Sequence, residues 1–188
     1  MLHAVTKMLT TNTLPPSFCI AQVIGLSGAA WLSGTIYSLS YISIPTLLTS
    51  HQEHSIPLST ITKQWAILYE TGKNRVPPIA VLTASTFLYL AWSTRASTAL
   101  AAIAPRGSSS LYTVSAALVL AIMPFTVGVM KGTNDRLKGW AGRGVVEGKN
   151  GGEEEEVVGL LRRWAVLNGV RALWPLIGGI VGLVAGLP

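Results

Sequence analysis

Four long apolar segments organise the chain. No charged residue occurs between Met8 and Ser50, and residues 18–48 within that stretch exceed the roughly 20 apolar residues that cross a bilayer as a helix. The other apolar segments are residues 76–94, 107–130 and 164–188. Segments this long and continuous predict transmembrane helices, because barrel strands are short and alternate in polarity. We therefore expect an all-α fold, an integral membrane four-helix bundle that forms one domain over residues 1–188.

A shorter periodic segment lies between the first two spans. Its apolar face carries Ile61, Trp65, Leu68 and Tyr69, and its polar face carries Lys63, Glu70 and Lys73. This pattern predicts a short interfacial amphipathic helix, with Trp and Tyr at the level of the lipid headgroups. We expect Gly72 to end this helix, and Pro77 and Pro78 to open the second span.

Two parts of the chain have the composition of flexible segments. Residues 1–17 form a short tail that ends in two prolines, and residues 139–153 are rich in Gly and Glu. The acidic run that follows favours a helix start near Glu154, because negative charge stabilises the N-terminal end of a helix. The last helix carries a ridge of small residues for close packing, made of Gly178, Gly182 and Gly186.

Composition supports a membrane protein and excludes two kinds of site. Apolar residues make up 49% of the 188 residues and charged residues only 12%, about half the usual share. Cys19 is the single cysteine, which excludes an intramolecular disulfide and a paired-thiol redox centre. His51 and His54 flank Glu53, but no further ligand accompanies them, so we expect no metal site.

The distribution of basic residues predicts the membrane topology. The formal net charge is +6. Three Lys or Arg residues lie in the N-terminal tail and the second connection, against ten in the first and third connections. The positive-inside rule then places those two connections in the cytoplasm and both termini on the other side, and we expect an endomembrane such as the endoplasmic reticulum. The basic residues flank spans and form no stripe, so nucleic acid is an unsuitable partner.

Arg171 and Asn168 stand out in the last apolar segment. If the membrane surface lies near Leu160, Arg171 is ~16 Å deeper at ~1.5 Å per residue. That depth is close to the middle of a hydrocarbon core about 30 Å thick, where an arginine is a functional-site candidate. The alternative is that the span begins after Arg171 and the side chain reaches back to the surface. Both residues share a helical face with Trp164 and Pro175, whose missing N–H frees the carbonyl of Arg171.

Two further polar patterns leave alternatives open. Ser33, Tyr37, Ser40 and Ser43 recur at helical spacing in the first span. They either bond to another helix or line a polar cavity. After the third span, Asn134 and Arg136 lie about 200° apart around a helix, so both cannot face one pocket. Arg136 contacts either lipid phosphate, which we favour slightly, or the substrate, and Asp135 is a candidate base that could equally be solvated.

Four stretches in order together resemble the anthrone oxygenase family, membrane proteins of polyketide pathways that include noranthrone monooxygenases. They are S-G-T-I-Y-S-L-S-Y-I-S-I-P-T-L-L, Q-W-A-I-L-Y-E-T-G, G-T-N-D-R-L and R-W-A-V-L-N-G-V-R-A-L-W-P-L. The Gly/Glu-rich connection is longer than the family pattern leads us to expect. The resemblance implies oxidation of an anthrone to an anthraquinone by O2, without a metal or other cofactor.

For this chemistry we assign roles to ten residues. The catalytic set is Arg171, Asn168, Asn134 and Asp135, and the substrate-binding set is Tyr37, Ser40, Tyr69, Tyr89, Trp164 and Arg136. Arg171 would stabilise enolate and peroxide charge, and the asparagines would orient the substrate oxygens. The base stays open between Asp135, Glu70 and a water held by an asparagine.

A membrane scaffold is the alternative to an enzyme. In that case the polar residues of the last helix tie helices together, and the loss of Arg171 costs stability before activity. A small transporter fits less well, because four helices without a repeat leave little room for alternating access. The expected partners are a small aromatic polyketide substrate and the lipid bilayer, and the spans also allow a homo-oligomer.

Overall fold

The structure is a computed structural model that describes residues 14–143 and 151–187, and these residues form helices and turns. The elements are α1 (Pro16–Ser38), a π-helical turn (Leu39–Ser43), α2 (Ile44–His54), α3 (Leu58–Ser93), a 3-10 turn (Ala99–Ala102), α4 (Ser108–Leu120), α5 (Ile122–Gly128), α6 (Lys131–Arg143) and α7 (Gly151–Gly186). No strand occurs in the described part of the chain. The predicted all-α class is confirmed.

Four helical stretches within the described residues are long and apolar enough to cross a membrane. They are Pro16–His54, Leu58–Ser93, Ser108–Gly128 and Gly152–Gly186, and each contains most of one predicted span. Large apolar side chains such as Val23, Val127 and Val166 are exposed along them. Exposed apolar surface of this kind suits contact with lipid, and helices satisfy their own backbone hydrogen bonds there. The fold is therefore compatible with a multi-pass membrane protein.

The amphipathic segment is not a separate helix, which corrects the sequence prediction. It is continuous with the second span in α3, a helix of 36 residues that passes through Gly72 and contains Pro77 and Pro78. The prolines cannot donate backbone hydrogen bonds to the carbonyls four residues earlier. Ile61 and Trp65 are nevertheless fully buried, so packing of this face outweighs the local signals for a helix end.

The third connection is more helical than its composition indicates. Helix α6 runs to Arg143 and α7 begins at Gly151, so both edges of the connection predicted as flexible over 139–153 are helical. Its central residues, 144–150, lie outside the described residues, as do residues 1–13 of the predicted tail. Local propensity missed α6 because it contains three glycines, whereas the burial of Leu137 favours the helix.

The third span is divided near its middle. Helix α4 ends at Leu120 and α5 begins at Ile122. Pro124 explains the break, because its ring nitrogen cannot donate to the carbonyl of Leu120 four residues earlier. Residues after this break belong to a different part of the fold from those before it.

The chain divides into two compact units. Within the described residues, the first unit comprises 14–32, 79–121 and 174–187, and the second comprises 33–78, 122–143 and 151–173. The second unit contains an apolar core made of Ile44, Leu58, Ile61, Trp65, Met130, Leu137, Val157, Leu160, Leu161 and Trp164. This core draws on α2, α3, α6 and α7 and fixes their mutual positions.

The first unit contains the glycine ridge of α7. A Cβ atom on Gly178 would lie 3.1 Å from the carbonyl oxygen of Ser115, and one on Gly182 would lie 2.5 Å from the ring of Phe87. A Cβ on Gly186 would lie 2.5 Å from the amide of Gln22. These approaches confirm that the predicted ridge is a close-packing surface, because only a residue without a side chain fits there.

We expect Gly182→Ala to destabilise the protein by about 1–3 kcal/mol, because the buried ring of Phe87 cannot move away without displacing its neighbours. Gly159→Ala in the same helix is the matched control, since a Cβ there meets nothing within 4 Å. The measurement is the melting temperature of each detergent-solubilised variant. Equal melting temperatures would contradict the close packing at Gly182.

Candidate active site

Arg171 lines a cavity of about 220 Å³ inside the second unit. The π-helical turn, α3, α5, α7 and the residues beside α5 supply the wall, which consists of Leu39, Leu68, Tyr69, Gly72, Lys73, Val76, Pro77, Ile122, Met123, Thr126, Val127, Met130, Trp164 and Arg171. The wall is mostly apolar, and none of these fourteen residues is Asp, Glu or His. An apolar pocket with a few polar groups is the usual form of a small-molecule site.

The guanidinium group of Arg171 is held from one side only. One terminal nitrogen donates to the hydroxyl oxygen of Thr126 at 2.9 Å. That hydroxyl donates in turn to the carbonyl of Ile122 at 2.6 Å, which fixes its orientation. The Nε–H of Arg171 is buried and has no hydrogen-bond partner among the described residues. A buried charge with an unused donor is costly, so the cavity is suited to a ligand that accepts a hydrogen bond and carries negative charge.

Asn168 connects two helices instead of lining the cavity. Its side chain is fully buried, and its amide nitrogen donates to the carbonyl of Ile36 at 2.8 Å and to the hydroxyl of Ser40 at 3.0 Å. Ser40 belongs to the π-helical turn, which also contributes Leu39 to the cavity wall. Turns of this kind are frequent at functional sites. The bond to Ser40 supports the helix-to-helix interpretation of the polar stripe at that residue.

An aromatic wall closes the cavity on the side of α3 and α7. Trp164 packs edge-on against Trp65 at a centroid distance of 5.9 Å, and Trp65 stacks on Tyr69 at 5.3 Å. The indole N–H of Trp164 donates to the side-chain oxygen of Asn134 at 2.9 Å. Asn134 is buried but does not line the cavity, so it positions the tryptophan from behind.

The structure does not bring Asp135 or Arg136 to the cavity. Asp135 is exposed and accepts a hydrogen bond of 2.6 Å from Lys131, which holds the pKa of Asp135 below its usual value and raises that of Lys131. Arg136 forms an exposed ion pair of 2.7 Å with Glu156. The reason is helical geometry, since Asn134 occupies the buried face of α6 and the next two residues turn away from it.

Of the three tyrosines proposed from the sequence, Tyr69 alone lines the cavity. Tyr37 is 49% exposed and stacks on Tyr41 at 5.6 Å, on the outward side of α1. Tyr89 belongs to the first unit, where its hydroxyl donates to Ser17 at 3.2 Å. Helical periodicity alone could not exclude them, because it does not identify which face is buried.

Thr126, which holds the guanidinium of Arg171, was not predicted from the sequence. A lone threonine in a transmembrane helix usually bonds its own backbone, and Thr126 does that as well. The available signal was its spacing, four residues after Ile122 and four before Met130, both of which line the cavity. This periodicity places all three on one side of the chain.

The described residues offer little to a metal ion. They contain no group of three or more His, Cys, Asp or Glu side chains close enough to bind one. The two ring nitrogens of His51 lie 2.8 Å from the carbonyl of Ile56 and 3.1 Å from the carboxylate of Glu154.

The family profile of the anthrone oxygenases matches residues 65–181. The chain belongs to the anthrone oxygenase family. An anthrone oxygenase of Aspergillus fumigatus is 36% identical over 89% of this chain and 93% of its own length. Another from Claviceps purpurea is 32% identical over 86% of this chain and 85% of its own, and a monooxygenase of Dothistroma septosporum is 33% identical over 87% and 81%. No solved structure matches.

Family membership confirms the resemblance and makes the chain an oxygenase of polyketide pathways. The stretch matched by the anthrone oxygenase profile contains thirteen of the fourteen cavity-lining residues, all but Leu39. The cavity therefore lies in the part of the chain that defines the family.

We expect Asn134→Ala to destabilise this anthrone oxygenase by about 1–3 kcal/mol, because the buried indole N–H of Trp164 loses its hydrogen-bond acceptor. Asp135→Ala, one residue away on the exposed face of α6, should leave the melting temperature nearly unchanged, since exposed ion pairs contribute little. Thermal unfolding of the two variants in detergent checks both. If they melt together, the Asn134–Trp164 bond does not hold the cavity wall.

Proposed function

We propose that the protein oxidises an anthrone to the corresponding anthraquinone with O2 and without a bound cofactor. The observation that carries the proposal is the guanidinium of Arg171, which has an unused donor in an apolar, aromatic-walled cavity. The relatives named anthrone oxygenases support the substrate class. Such a cavity suits a flat aromatic ketone that becomes an anion during reaction.

The reaction needs little from the protein. An anthrone has a methylene group between two aryl rings, conjugated to its ketone, and loss of one proton gives an electron-rich enolate. The enolate passes an electron to O2, and combination of the two radicals forms a carbon–oxygen bond and a peroxide. Removal of the second methylene proton with cleavage of the O–O bond leaves a carbonyl and releases water. The substrate thus loses two hydrogens and gains one oxygen, and the other oxygen leaves in water.

Arg171 stabilises the charge that appears in this sequence. The enolate oxygen accepts the unused Nε–H, while Thr126 keeps the guanidinium group in place. A fixed donor in an apolar cavity favours the enolate over the ketone, because no solvent must reorganise as the charge forms. The same positive charge stabilises the peroxide that follows.

The aromatic wall positions the substrate. Tyr69 and Trp164 present ring surfaces against which a planar tricycle stacks. We assign Asn134 and Asn168 to positioning roles, because each bonds a residue or turn of the wall and does not line the cavity itself. Because both asparagine side chains lie outside the cavity, they do not compete with the substrate for hydrogen bonds inside it.

We assign removal of the methylene proton to water at the mouth of the cavity, with Glu70 as the acceptor. Two lining residues are strongly exposed, Val127 at 70% and Lys73 with a side chain 56% exposed, and we assign the polar mouth of the cavity to Lys73. Among the carboxylates of the described residues, Glu70 is the one that an ion pair connects to a lining residue, Lys73 at 3.3 Å. Asp135 is a weaker base, because Lys131 lowers its pKa.

We further propose that the protein resides in an endomembrane such as the endoplasmic reticulum, with both termini on the non-cytoplasmic side. The excess of basic residues in the first and third connections supports this orientation. Acceptor sites for N-glycosylation fused to either terminus should therefore be modified, and a site inserted in the third connection should not. Modification of the third connection would reverse the orientation.

The activity is tested with membranes that contain the protein and with empty membranes, since anthrones also oxidise unaided. We expect an oxygen-dependent excess of quinone over the control when anthrones such as emodin anthrone are added. A metal chelator should not reduce this excess, and labelled O2 should place one labelled atom in the quinone. The absence of any excess across several anthrones would favour the scaffold alternative, and loss of activity on chelation would exclude a cofactor-free reaction.

Variants of two arginines in α7 distinguish a catalytic role of Arg171 from a purely structural one. Arg171→Ala should lower kcat/KM about 10²–10³-fold, the size of effect of losing one preorganised donor to a developing oxyanion. Arg163→Ala, an exposed residue of the same helix, should retain activity. Arg171→Lys keeps the charge without the planar donors and should fall between them. Full turnover by a folded Arg171→Ala protein would refute the mechanism.

A further inference from the structure

We infer that the cavity is built for an anthrone that carries a second acidic group, a ring carboxylate, and that Lys73 recognises it. The inference rests on the proposed function and narrows its substrate class. The observation behind it is the charge of the wall. Two cationic side chains, Arg171 and Lys73, line the cavity, and no carboxylate lines it. An anthrone without a carboxylate provides an enolate for Arg171 and leaves Lys73 with only Glu70, a carboxylate that it shares with Lys138.

The two cations occupy different environments. Arg171 is partly buried and bonded to Thr126, whereas the side chain of Lys73 is 56% exposed at the mouth. A planar ligand with its enolate oxygen at Arg171 can therefore keep a carboxylate near the mouth. This position is energetically favourable for the carboxylate. Removing an ionised carboxylate from water is costly, and at the mouth it stays partly hydrated.

Lys73 can exchange its present partner for a ligand. Glu70 receives Lys73 at 3.3 Å and Lys138 at 3.6 Å, so two lysines share one carboxylate and one positive charge is left over. All three side chains are at least 38% exposed, and ion pairs of this kind are weak. When Lys73 turns toward a ligand, Lys138 still neutralises Glu70.

Lys138 also reinforces the wall beside this mouth. Its ammonium group lies 4.5 Å from the centre of the Tyr69 ring, the ring that lines the cavity. A cation over an aromatic face is favourable and limits the movement of both groups. Lys138 is therefore held at Tyr69 and Glu70, and Lys73 is the cation available to the substrate.

The same lysine could contact a lipid phosphate, because both sources present an anionic oxygen. The two sources differ in what they do to the reaction. A substrate carboxylate makes Lys73 discriminate between substrates, whereas a lipid phosphate makes it affect all substrates equally. The test therefore compares two anthrones with identical rings, one with and one without a carboxyl group, in nanodiscs of purely zwitterionic phosphatidylcholine.

With the full-length protein, we expect a preference for the carboxylated anthrone that resides mainly in KM. Lys73→Met should reduce the ratio of kcat/KM for the two anthrones about tenfold, the scale of one charge-assisted hydrogen bond at a partly exposed site. Lys73→Arg should restore most of the ratio. Lys63→Met is the matched control, since Lys63 is an exposed lysine of the same helix that does not line the cavity, and it should keep the wild-type ratio.

The outcomes are separable. Oxidation of both anthrones with the same efficiency, or a ratio that Lys73→Met leaves unchanged, overturns the inference and leaves the proposed function intact. A Lys73→Met effect that is equal for both anthrones and appears only when anionic lipid is added assigns the residue to lipid and also overturns it. If neither anthrone is oxidised above the control, the proposed function itself fails.

Discussion

The cavity of the second unit is organised around one guanidinium group, that of Arg171, in an apolar environment. Transfer of such a charge from water is expensive unless other groups compensate it. Within the part of the chain that the structure describes, one neutral acceptor, Thr126, bonds this group, and no carboxylate in the cavity wall neutralises the charge. Arg171 therefore retains both its charge and an unused donor. Helices α3 and α5 and the π-helical turn form a cavity around it that an anionic ligand can fill.

The neighbouring polar residues make this arrangement stable. Asn134 accepts a hydrogen bond from the indole N–H of Trp164, whereas the buried indole N–H of Trp65 behind it has no partner among the described residues. Asn168 fixes the π-helical turn through Ser40, and the turn contributes Leu39 to the wall. Each asparagine bonds a structural element and leaves the cavity to Arg171 and the rings. Arg171 of the last helix therefore faces the cavity, whereas Asn168 of the same helix and Asn134 of α6 hold the wall.

Most of the fold could be predicted from the sequence, because a membrane-spanning helix has a simple signature of length and missing charge. Four helices of the described residues are long and apolar enough to cross a membrane, as predicted. The continuity of α3 could not be predicted, since Gly72 and the two prolines are local signals and the burial of Trp65 is a tertiary one. Helix α6 was missed for the same reason, with three glycines opposing one buried face.

The candidate site was predictable only in part. Arg171 could be predicted because a charge in an apolar span is conspicuous. Trp164 shares a helical face with Arg171, and Tyr69 lies on the apolar face of the amphipathic segment, so both could be predicted as wall residues. The roles of the asparagines required the structure, since a helical face does not tell whether a side chain meets a ligand or another helix. Thr126 and Lys73 required the fold, because they come from other helices than Arg171.

The opposite use of two neighbouring polar residues bears on the choice between enzyme and scaffold. The amide nitrogen of Asn168 bonds a carbonyl and a hydroxyl, as expected of a residue that ties helices, although its buried side-chain oxygen has no partner among the described residues. Among the described residues Arg171 donates a side-chain hydrogen bond to Thr126, and its buried Nε–H has no partner. A purely structural arginine gains nothing from an unused donor, because replacement by an apolar residue would remove the cost of the charge. A catalytic arginine does gain, because the free donor is used only when the substrate becomes an anion.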